Sequence, residues 1–189
     1  RFILRNSGIK EKEIESVIEK KLKNEEKTEY KFNERDLHPL LAKYVYTNPH
    51  FKCYVKTIFH EKSIKRAKGA NEWLHPDLVG VYFPFGDYSK ETTDLQKSLN
   101  VNSIKLFSFE MKKELNYSNL RECFFQAVSN SSWANEGYLV SLRIDEDPSF
   151  RNEIQRLSNS FGIGIIKLSP VNIEESEIIC NAHHREIID

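Results

Sequence analysis

The apolar positions of this chain change their period along its length. Cys53–His60 is rich in β-formers (Tyr54, Thr57, Ile58, Phe59), as is Leu74–Pro84 (Leu78, Val79, Val81, Tyr82, Phe83). A third run, Ile104–Met111, carries Ile104, Leu106, Phe107 and Phe109. These predict three strands near enough in sequence to pair as hairpins or a meander. The period then lengthens. Leu120, Cys123, Phe124, Ala127 and Val128 fall on one stripe and predict an amphipathic helix over Ser118–Ser129. A short strand follows at Tyr138–Leu142. Asp147-Pro148 opens a helix with Phe150, Ile154, Leu157 and Phe161 expected inward, and Gly162–Leu168 reads as a buried strand. Beyond Ser169 the pattern is ambiguous, with Ile178–Cys180 as its strand candidate.

Upstream, Leu37, Leu40, Leu41, Tyr44 and Val45 predict a helix over Asp36–Tyr46, capped by Asp36 and stopped at Asn48-Pro49. Residues 1–31 hold one weaker helix, Glu11–Lys23, in a charged arm. Gly86–Ser98 is polar and reads as a long loop or a short helix. Strands separated by helices pair in parallel, so the order predicts an α/β domain over residues 32–189, a mixed β-sheet flanked by helices.

Composition narrows the classes. The chain has 189 residues with 28 basic and 28 acidic side chains, so no global nucleic-acid footprint exists. Three cysteines without a Cys-x-x-Cys fit a reducing cytoplasmic setting better than a disulfide framework or a zinc site. No apolar run approaches the ~20 residues of a membrane span. There is no G-x-G-x-x-G or P-loop for a small-molecule phosphate enzyme. The chain begins at Arg1 and its sole methionine is Met111, so an upstream domain is expected to be missing.

The candidate chemistry sits in Lys105–Leu115, KLFSFEMKKEL. Glu110 and Lys112 are two apart, so on a strand they share a face. Glu-x-Lys spacing alone means little here, since Glu25-Glu26-Lys27 and Glu29-Tyr30-Lys31 repeat it in the solvated arm. Only Glu110–Lys112 closes a hydrophobic run. Asp77, in His75-Pro76-Asp77 at the head of the second strand, can reach the same sheet edge and share a divalent cation with Glu110. Lys112 would then orient or deprotonate a water, or offset phosphoryl charge. Taken singly, Asp77 is also a turn cap, and Glu110–Lys112 also a surface ion pair. Lys62, Lys65, Arg66 and Lys68 read as a solvated turn or as phosphate contacts. Trp73 and Cys123 read as packing, His75 as structural or a second base, and His183-His184 as solvated.

Pro76-Asp77 on one strand and Glu110-Met111-Lys112 on the next resemble the PD-(D/E)xK nuclease superfamily, as does the element order from Glu34 to Leu168. The resemblance implies a restriction-endonuclease-like fold and an Mg²⁺-dependent (or Mn²⁺-dependent) endodeoxyribonuclease in restriction or DNA defence. Its metal ligands would be Asp77, Glu110 and the Met111 main-chain carbonyl, with Lys112 serving the attacking water. Glu34 is the weaker match to a further glutamate on the first helix. Gln126 matches a glutamine that some relatives carry after the motif, although Asn130 stands where those relatives have tyrosine. More narrowly, the chain resembles restriction-associated bacterial proteins with an N-terminal helix-turn-helix domain. DNA and a second copy of the chain are the expected partners. The competing expectation is a catalytically silent nuclease-like module for DNA binding or assembly.

Overall fold

Six strands, laid side by side in chain order, make one mixed sheet in this computed structural model. They are β1 (Tyr54–Thr57), β2 (Leu78–Tyr82), β3 (Lys105–Leu115), β4 (Glu136–Ile144), β5 (Ile163–Lys167) and β6 (Glu177–Cys180). The structure describes residues 33–58, 75–84, 88–99 and 104–186. The arm helix over Glu11–Lys23, Trp73 and the basic stretch Lys62, Lys65, Arg66 and Lys68 lie outside the described residues.

The connections set the strand directions. β1, β2 and β3 pair antiparallel, as hairpins or a meander would. The β3–β4 and β4–β5 pairs are parallel, and each needs a crossover. Helix α3 (Leu120–Asn130) supplies the first and α4 (Pro148–Phe161) the second; α1 (His38–Thr47) and α2 (Lys90–Leu99) come earlier in the chain. β6 returns antiparallel to β5.

Alternation along the strands loads both faces. One receives Phe107, Phe109, Met111 and Tyr138, with Phe51 set among their rings, and α1 adds Leu41, Tyr44 and Val45 to this buried set. The other packs Leu139, Ile163 and Ile165 under Leu120, Cys123, Phe124 and Ala127 of α3 and Phe150, Ile154 and Leu157 of α4. Burying one Leu- or Phe-sized side chain contributes about 1.5–3 kcal/mol, so these two cores hold the sheet between its helices.

Several expectations shift. β3 runs past Met111 to Leu115, because β4 continues beside it and Leu115 is buried. The polar stretch after Gly86 contains the helix α2, which buries none of its residues. Asp36 does not cap α1. It sits in a 3-10 turn, Glu34–Leu37, and accepts the Asn33 N–H at 2.8 Å. Phe161, expected inward, is 40% exposed at the end of α4, its ring against Phe125.

Candidate active site

The site starts from a register. Leu78 pairs with Phe109 as the last antiparallel couple of β2 and β3. Asp77 directly precedes Leu78 and Glu110 directly follows Phe109, and the charge of Asp77 is felt by Glu110. Asp77 has left the ladder, and its carboxylate closes it instead: Oδ2 accepts the Met111 N–H at 2.8 Å. A strand residue's N–H and C=O point to one side, so the Met111 carbonyl faces the same flank as Asp77.

Glu110 is 1% exposed, which is rare for an ionisable group without firm partners. It has two. The Lys112 ammonium donates to Oε1 at 3.0 Å, and Asn130 Nδ2 donates to Oε2 at 3.0 Å. Burial, and next the charge of Asp77, push the Glu110 carboxyl up to about 7, while Lys112 and Asn130 pull it down. For Lys112, burial works against the charged form, but Glu110, Asp77 and Glu34 outweigh it and raise its pKa. A lysine so held stays an ammonium. It suits charge placement rather than proton abstraction.

Helix α3 places Asn130 over this pair. Its last residue is Asn130, 1% exposed, and the Asn130 carbonyl also accepts the Ser108 hydroxyl at 3.0 Å. Asn130 thereby ties the helix end to the strand two residues before Glu110. Asn130→Ala is expected to weaken any Mn²⁺ binding at Glu110 about 10–100-fold, the usual effect of losing a group that orients a ligand, as read by isothermal calorimetry.

The sequence candidates divide as follows. Asp77, Glu110, the Met111 backbone and Lys112 come together. Gln126 lies one helical turn before Asn130 and is half-buried, so the two share a helix face. Asn130, which occupies the tyrosine position of the resemblance, donates to Glu110. Glu34 is exposed in the 3-10 turn, and its charge contributes to the raised pKa of Lys112. His75 is exposed beside the buried Pro76. Burial raises the pKa of the Cys123 thiol, which fits its reading as packing.

A second polar cluster escaped the sequence reading. Glu136, 6% exposed, accepts from Tyr138 OH at 2.9 Å and meets His50 Nε2 at 3.0 Å and His184 Nδ1 at 3.2 Å. His184 is therefore not simply solvated. The Arg185 N–H donates to the Asn135 carbonyl, and its guanidinium donates to the Ser131 carbonyl, so the tail is fastened over the start of β4. No spacing signal announces three groups so far apart in sequence.

Among the described residues, no three His, Cys, Asp or Glu side chains converge as a metal cage. The Asp77–Glu110 donor set is nonetheless one that Mg²⁺ accepts, since this ion commonly takes one or two carboxylates and keeps its waters. Asn130 Oδ1 fits this. It is buried next to Glu110 without a hydrogen-bond donor, and the waters of a hydrated cation are donors. Among the described residues, no helix is long and apolar enough to cross a membrane. Compared with protein-family models, with curated proteins and with solved structures, the chain matches none.

Proposed function

We propose that this domain is a metal-dependent endodeoxyribonuclease that hydrolyses a phosphodiester bond, on a restriction-endonuclease-like sheet. The observation that carries the reading is the junction of β2 and β3. Asp77 accepts the Met111 backbone N–H one residue from Glu110, and the Lys112 ammonium donates to Glu110. Two carboxylates and a cation at one sheet edge are the parts phosphodiester hydrolysis needs.

The roles follow from position. Asp77, Glu110 and the Met111 carbonyl would hold Mg²⁺ or Mn²⁺, which would supply polarisation of the phosphate and a lowered pKa of water. Lys112 puts a fixed positive charge beside the negative charge that develops on the phosphoryl oxygens. Asn130 keeps the Glu110 carboxylate aimed, and burial excludes bulk water from it.

The test is a cleavage assay on single- and double-stranded DNA with Mg²⁺, Mn²⁺ or EDTA. Cleavage is expected with either metal and none with EDTA. Asp77→Asn is expected to abolish cutting. Lys112→Ala is expected to slow cutting by about 100-fold or more, the scale of losing one preorganised donor, with Mn²⁺ binding retained. Cutting by Asp77→Asn at the parent rate would sink the nuclease reading. Metal-independent DNA binding with no cutting would favour a silent binding module.

A further inference from the structure

The sheet face that carries Glu110 does not end at β3. Tyr54 pairs with Val81 and Lys56 with Val79. Val81 in turn pairs with Leu106, and Val79 with Ser108. Directly paired residues share a face, so Tyr54 and Lys56 project from the same face as Ser108, Glu110 and Lys112. Helix α3 packs on β3, β4 and β5. Out on β1, Tyr54 is 62% exposed and Lys56 is exposed.

Tyr54 does not stand alone. The Tyr46 ring, 56% exposed, lies 5.5 Å from it at a tilt of 58°. Lys43, one turn before Tyr46 on α1, is exposed, and so is Lys52, where the chain enters β1. The result is a pair of exposed rings in a stretch of α1 and β1 that also exposes three lysines. Ile58, four residues after Tyr54, donates its N–H to the Asp77 carbonyl at 2.8 Å. At roughly 3.3 Å per residue, Tyr54 is about 13 Å along the chain from Ile58, and Asp77, directly before β2, lies beside Ile58.

Resting on the nuclease reading, we propose that Tyr46 and Tyr54, with Lys43, Lys52 and Lys56, are a stacking platform for single-stranded DNA leading to the Asp77–Glu110 site. An open tyrosine face accepts any unpaired base, whereas duplex DNA keeps its bases stacked inside. The lysines take the phosphates.

The experiment uses the whole chain in EDTA, with fluorescence anisotropy of labelled oligothymidylate and of a duplex of equal length. The parent is expected to bind the single strand more tightly. Tyr54→Ala is expected to weaken that binding about 10-fold, and Tyr54→Phe to preserve it. Lys56→Ala is expected to reduce the salt slope by roughly 0.7. Tyr54 is exposed, so its removal leaves the core intact, and circular dichroism verifies this. Unchanged single-strand affinity in Tyr54→Ala, equal affinity for duplex, or no DNA binding at all overturns the platform. In those cases cleavage that Asp77→Asn abolishes leaves the nuclease reading standing. Conversely, single-strand binding lost in Tyr54→Ala without any cleavage keeps the platform and removes the nuclease.

Discussion

Glu110→Gln is expected to lower DNA cleavage by more than about 100-fold, the upper effect of removing a group one shell further from a metal. It is also expected to change how the metal-free protein responds to pH. Burial and Asp77 raise the Glu110 carboxyl from 4.5 to about 7 in the folded chain. A raised carboxyl holds its proton more tightly folded than unfolded. Its stabilising contribution is therefore fully present below pH 4.5 and is lost as pH rises through about 7. Glutamine cannot titrate, so the variant loses that decline. Urea unfolding in EDTA at several pH values across this window reads the effect directly. A parent and a Glu110→Gln variant with the same pH slope would show that the buried pair does not exist as described.

Phe51→Ala is expected to destabilise the fold by about 3–5 kcal/mol, the range for emptying a buried aromatic site. Phe51 is 1% exposed, and its ring centroid lies 5.5 Å from Phe107, 5.7 Å from Phe109 and 5.0 Å from Tyr138. Phe107, Phe109 and Tyr138 are anchored on the two central strands, so the wall they form cannot close the space. Domains commonly have only about 5–15 kcal/mol in hand, so the variant stands near its unfolding threshold. Denaturant midpoints at constant m-value provide the number. A loss below about 1 kcal/mol would mean the ring is not the wedge between α1 and the sheet.

Phe51 also shows what a sequence does not display. It lies in Asn48-Pro49-His50-Phe51-Lys52, after the last periodic residue of α1, where turn chemistry predicts only a stop. Its burial comes from β3 and β4, far along the chain. The long amphipathic elements were legible because their own side chains carry the period. Leu120, Phe124 and Ala127 pack as their spacing implies, and so do Ile154 and Leu157. Asp77, Glu110 and Lys112 were legible for a related reason: period two fixes a face, and antiparallel pairing of successive strands brings the neighbour. Asn130 was not, since its importance depends on where α3 ends. Nor was Glu136, whose partners His50 and His184 are brought in by two loops. The continuation of β3 through Lys112-Lys113-Glu114 was hidden by its charge, which solvent accepts at the end of a strand paired on one side.

A sheet whose spatial order equals its chain order has a consequence for synthesis. Each strand emerging from the ribosome meets an edge that is already in place, and no later strand has to insert between two earlier ones. Asp77 and Glu110 can meet as soon as β3 has docked. The Asn130 that braces them arrives only with α3, and the tail that clasps Glu136 comes last of all. Nascent chains cut short before α3 would thus hold both acids, with Lys112 and the Met111 N–H already on them, and lack only the Asn130 brace.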